Sequence, residues 1–130
     1  MQRNGRNTHY CCPVEAALAI IGGKWKPLLL WMLTDGTKRF SEIQHAVPNI
    51  TQTMLTKQLR ELEHDRLIVR KVYAQVPPKV EYSLTEFGET AIPILNSLSA
   101  WGEQYILLQE PEMLSRKGST SCTFRKKGKV

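Results

Sequence analysis

Leu55, Leu59 and Leu62 recur at steps of four and three, which predicts a helix over residues 51–63 with one apolar face. Thr51 stands before it as an N-cap, its hydroxyl suited to a free amide of the first turn. Upstream, the apolar run from Pro13 to Ile21 stops at Gly22-Gly23 and predicts a first helix buried against more than one neighbour. Residues 25–33 predict a second helix, with Pro27 in its first turn and Asp35-Gly36 closing it. Lys38-Arg39-Phe40 suffices only for a fragment of strand, and 41–47 follows as a short helix with Ile43, Ala46 and Val47 inward. Pro48-Asn49 breaks that helix, and Asn tolerates the left-handed backbone of a tight reversal. Two short helices joined in this way form a helix-turn-helix.

Beyond Asp65-Arg66 the period changes to two. Residues 67–73 and 80–84 are β-rich, and in the second run Val80, Tyr82 and Leu84 alternate with Glu81 and Ser83. Pro77 and Pro78 fall in the connection, where no ladder hydrogen bond is lost. The fold predicted is mainly α with a small β-hairpin wing, a winged helix-turn-helix. Thr85 caps a last helical region that Pro93 is expected to kink or divide. Ile94, Leu98, Trp101, Tyr105 and Leu108 then form a seam, widened by Leu95 and Ile106, suited to another helix. So long an apolar face exceeds what one small core needs. It predicts a homodimer through the first helix (Val14, Leu18, Ile21) and this last one. Residues 1–11 read as a flexible arm, 12–110 as the domain, and 111–130 as a basic, disordered tail.

Charge changes the picture only through its placement. The net charge of +6 comes entirely from the last sixteen residues, because residues 1–114 hold 12 Lys+Arg and 12 Asp+Glu. A nucleic-acid reading must therefore rest on local faces. The polar face of 51–63 carries Gln52, Thr53, Thr56, Lys57 and Arg60, side chains able to read base edges or reach phosphates in a major groove. Arg70, Lys71 and Lys79 put cations on the wing, and Lys38 and Arg39 put them at the sheet edge, where flanking phosphates are expected. The partner implied is double-stranded DNA. The alternative is a winged-helix protein-interaction module without specific DNA binding.

Catalysis finds no support. Ser41-Glu42 and Gly22-Gly23-Lys24 read as a helix start and a helix stop, and no Cys-x-x-Cys motif is present. His9, Cys11 and Cys12, with distant His45 or His64, match no structural zinc spacing, so neither metal nor cofactor is expected. No apolar run reaches the length of a membrane span and no signal segment opens the chain, so a cytoplasmic protein with reduced thiols is expected.

Several blocks, in order, resemble the HxlR-type regulators, bacterial winged helix-turn-helix transcription factors related to the MarR group. They are Cys-Pro-Val-Glu (12–15), Gly-Gly-Lys-Trp (22–25), Arg-Phe-Ser-Glu-Ile (39–43), the pattern of 50–63, and Tyr-Ser-Leu-Thr-Glu-Phe-Gly (82–88). Asn49-Ile50-Thr51 stands where many members have Gly-Ile-Ser, and both changes keep the turn and cap chemistry. The resemblance implies a homodimer on a pseudo-palindromic operator, with 51–63 as recognition helix. Repression is expected separately, because 130 residues leave little room for an effector domain. It also implies a candidate redox or electrophile sensor at Cys12, since some members sense oxidants, quinones or aldehydes with a cysteine in this region. A small-molecule or oxidant effector would then act at the dimer interface. The other reading of Cys12 is a small packed residue at that interface.

Overall fold

A computed structural model of the chain describes residues 9–109. The element order is α1 (Pro13–Ile21), α2 (Trp25–Leu33), β1 (Lys38–Arg39), α3 (Phe40–Ala46), α4 (Gln52–His64), β2 (Ile68–Tyr73), β3 (Lys79–Leu84), α5 (Glu86–Glu89) and α6 (Ile92–Gln109). The arm up to residue 8 and the tail from residue 110 lie outside the described residues.

Leu29, Leu30, Met32 and Leu33 of α2 meet Ile43 of α3 and Leu55, Leu59 and Leu62 of α4 in one core, sealed by Leu67 just before β2 and by Ile68 and Tyr82 of the sheet. The leucine stripe predicted for 51–63 is 0–1% exposed. At about 25 cal/mol per Å² of apolar area, burial of such side chains dominates the stability of the domain. The caps hold as expected: Thr51 Oγ1 accepts from the Met54 amide at 3.0 Å. Asn49 adopts φ +66°, the left-handed reversal between α3 and α4.

The three antiparallel strands lie in the order β1-β3-β2. Their register sorts the wing residues by face, because directly paired residues point the same way and neighbours alternate. Lys38, Tyr82 and Arg70 form one row, and Arg39, Glu81 and Lys71 the next, on opposite faces of the sheet.

Two elements depart from the sequence reading. Phe40 opens α3 instead of closing a strand, since the Glu42 carboxylate accepts from the Arg39 amide at 2.8 Å and starts the helix there. The last helical region is divided, as Pro93 predicts, but not at the proline itself. The break falls earlier, at Thr90-Ala91, and Pro93 sits in the first turn of α6, where an amide has no intrahelical partner to lose.

Candidate nucleic-acid interface

The buried leucines fix how α4 is rotated. With Leu55, Leu59 and Leu62 facing the core, Gln52, Thr53, Lys57 and Arg60 are exposed and Thr56 is half-buried beside them. These five, with Glu61 and His64, line an open groove along the helix. A second groove separates α4 from the wing and contains Gln52, Thr56, Arg60, Glu63 and Arg70 above Tyr82. The structure thus brings Arg60 of α4 and Arg70 of β2 into one groove.

The remaining cations are not gathered there. Lys71 and Lys79 lie on the other face of the hairpin, each over the Tyr73 ring, at 5.2 and 4.5 Å from its centroid. Lys79 also pairs with Glu81 at 3.5 Å, and the Tyr73 hydroxyl donates to the same carboxylate at 3.0 Å. Arg39 shares this face and meets Lys79 in a third groove near Pro77 and Pro78. Lys38 is half-buried on the Tyr82 face. The sequence had offered these residues as one set; the alternation of the strands divides them.

Cys12 occupies the N-cap of α1 and is exposed, as is Cys11. The Glu15 main-chain amide at the helix N-terminus, then the Cys11 thiol, hold the Cys12 thiol below its usual range. The Glu15 carboxylate, which accepts from the Cys11 amide, pushes the Cys11 thiol up, with Cys12 adding to the effect. The two sulfurs stand 3.8 Å apart, within hydrogen-bonding reach. Among the described residues no group of three or more ligating side chains gathers as a metal site. His45 is on the surface, with Nδ1 2.8 Å from the Ser41 carbonyl, and His64 ends α4.

A second surface is apolar. Val14 and Leu18 of α1, and Ile94, Leu98, Trp101, Tyr105 and Leu108 of α6, are all exposed, Trp101 at 69% and Leu108 at 83%. Ile21 differs from the others: it is half-buried and packs on the core of its own protomer. No single described helix is long and apolar enough to cross a membrane.

Two features at this site escaped the sequence. Lys26, in the first turn of α2, is buried, with its Nζ 2.6 Å from Glu61 Oε1 of α4. Thr85 Oγ1 donates to the Arg66 carbonyl at 2.6 Å and accepts from the Gly88 amide at 2.9 Å, tying α5 to the turn after α4. A Thr before Glu-Phe-Gly signals the cap, but nothing in the sequence signals its second partner.

The HxlR-like helix-turn-helix family matches residues 20–110. The HTH-type transcriptional regulator YdeP of Bacillus subtilis is 63% identical over 94 residues, 72% of this chain and 73% of the relative. Among solved structures, the redox regulator HypR in its reduced form is 55% identical, with a TM-score of 0.73 over 77% of this chain and 99% of that one. A MarR-family protein from Porphyromonas gingivalis is 36% identical, with a TM-score of 0.70 over 75% of this chain and 96% of that one. The fold of the described residues, the wing and these likenesses agree, and the chain belongs to the HxlR-like helix-turn-helix family of MarR-related, DNA-binding transcriptional regulators.

Proposed function

We propose that the protein is a cytoplasmic repressor that binds a pseudo-palindromic operator as a homodimer, each subunit laying α4 in a major groove. The observation that carries this is the orientation of α4, whose polar and cationic residues face outward because its leucines are held at 0–1% exposure. Gln52, Thr53 and Thr56 then lie nearest base edges, with Lys57 and Arg60 on guanine or phosphate. Arg70 follows from the wing side of the same groove, while Lys71 and Lys79 flank the hairpin tip, and Lys38 and Arg39 flank the sheet edge, for backbone contacts. The exposed faces of α1 and α6 supply the dimer contact and set the separation of the two recognition helices at about one helical turn of DNA or a multiple of it.

Arg60→Ala and Lys57→Ala should each weaken operator binding while leaving dimerisation intact. Wild-type affinity in both variants would reject this use of α4. The operator itself is to be recovered by selecting bound fragments from sheared genomic DNA. A well-folded dimer that enriches no sequence would favour a protein-contact role for the winged domain.

The exposed, acidified thiol of Cys12 supports an added response to oxidants or electrophiles. The redox relative HypR is consistent with this reading. Modification at the start of α1 would alter the α1–α6 contact and hence the spacing of the recognition helices. Operator affinity identical before and after thiol modification would make Cys12 structural.

A further inference from the structure

Lys26 is the buried charged residue of the described core, and its position is unfavourable on two counts. It stands in the first turn of α2, where the helix dipole opposes a cation, and it is 6% exposed. Its partner is similarly placed, since Glu61 lies in the last turn of α4, where the dipole opposes an anion. An apolar pair of like volume would fill the space between α2 and α4 without either cost, and buried ion pairs are generally no more stabilising than such replacements. What an apolar pair lacks is direction. A charge-assisted hydrogen bond at 2.6 Å accepts a narrow range of geometries, whereas leucine-on-leucine packing tolerates rotation and sliding.

Glu61 also has a second neighbourhood. Its side chain is 13% exposed and lines the groove that holds Gln52, Thr53, Lys57 and Arg60. A carboxylate left unbalanced there would face any phosphate approaching α4.

From these observations we infer that Lys26 is a positioning residue for DNA recognition. Its ammonium fixes the rotation of α4 about its axis through Glu61 and neutralises a carboxylate that borders the reading face. The inference rests on the docking of α4 proposed above. Lys26 touches no DNA in this arrangement and acts only through Glu61.

The test compares affinities for the recovered operator and for an unrelated duplex at one salt concentration, since both depend steeply on salt. Glu61→Gln keeps an acceptor of the same shape but removes the charge. Binding to unrelated DNA should rise, and the preference for operator should narrow at least about threefold. In Lys26→Met combined with Glu61→Leu, the net charge is unchanged and only direction is lost. There the preference should narrow ~tenfold, with resistance to urea equal to or above that of the wild type. A purely structural pair would alter resistance to urea and leave the preference alone. Preferences equal to the wild type in the folded variants overturn the inference, and Glu61→Gln carries the test if the apolar pair does not fold. Arg60→Ala, measured alongside, separates the two levels. If it weakens binding while the pair variants keep full preference, only the role of Lys26 falls. If it leaves binding unaltered, the docking of α4 falls as well.

Discussion

Gly88 is the position at which the smallest substitution should cost most. It lies in α5, buried, in a conformation open to any residue, so the demand for glycine is steric rather than dihedral. A Cβ added there would stand 2.0 Å from the carbonyl oxygen of Leu67 and 3.0 Å from its carbonyl carbon. Ordinary contact begins near 3.4 Å, so roughly 1.4 Å of separation is missing. The obstacle is main chain and cannot rotate away. Either α5 lifts away or the turn before β2 retreats, at about 1–3 kcal/mol for overpacking. The same Leu67 carbonyl accepts the Thr85 amide at 3.1 Å, and the Thr85 hydroxyl donates to Arg66 beside it. Movement loosens both bonds, about 1 kcal/mol each. Alanine returns about 1 kcal/mol through its helical preference.

Gly88→Ala should therefore lose about 2–4 kcal/mol in all. Urea unfolding at fixed protein concentration, followed by far-ultraviolet circular dichroism, measures it as a lowered midpoint with an unchanged slope. A loss below about 0.5 kcal/mol, the range of ordinary surface substitutions, would refute the argument that α5 is seated on the Leu67 carbonyl.

Lys26→Met alone leaves the Glu61 carboxylate mostly buried without its 2.6 Å partner, and should lose about 3–5 kcal/mol in the same urea assay; adding Glu61→Leu should restore wild-type resistance or exceed it. Iodoacetamide should alkylate Cys12 before Cys11, and the climb of its rate with increasing pH should begin at a lower pH for Cys12 than for Cys11, because the Glu15 amide favours the Cys12 thiolate while the Glu15 carboxylate opposes that of Cys11. Peptide mass spectrometry reads both rates, and Glu15→Gln should speed Cys11 while leaving Cys12 nearly unaltered. Trp101→Glu, placed on the exposed face of α6, should yield a folded monomer in sedimentation with weakened operator binding; a dimer of wild-type affinity would move the interface elsewhere.

The parts of this fold legible in the sequence are those held by local periodicity. Leu55, Leu59 and Leu62 with Thr51 announce α4, and Val80, Tyr82 and Leu84 announce β3, because each pattern repeats within one element. Pro93 announces that the last helical region divides but not the exact place: the break at Thr90-Ala91 leaves the proline in a first turn, where no amide is needed. Arg66 at φ +67° had no sequence signal, since the left-handed turn after α4 is imposed by the Leu67 amide reaching the Leu62 carbonyl at 3.0 Å. Nothing in the sequence marks Lys26 as buried. Its partner lies on another helix, and no period connects them. The division of Arg70 from Lys71 and Lys79 needed strand register, which a one-residue step inverts.

Charge balance over residues 1–114 shows why counting fails where placement succeeds. Residues 1–114 carry equal numbers of cationic and acidic residues, which taken as a sum argues against a DNA-binding surface. In space the two signs are partly sorted, although the exposed Glu63 shares a groove with Arg60 and Arg70. Glu61 is drawn against Lys26 in the interior, and Glu81 against Lys79 on the far face of the wing. Lys57, Arg60 and Arg70 face outward with no ion pair among the described residues. An acid paired with a cation of its own protein has little field left at a distance comparable with the ~8 Å screening length of physiological salt. The potential met by a duplex along α4 is then set by the unpaired cations and not by the total. Under the proposed docking, moving one acid from an inner pair to the outer face of α4 should weaken binding more than deleting a cation from the far side of the wing, although each changes the protein's net charge by no more than one.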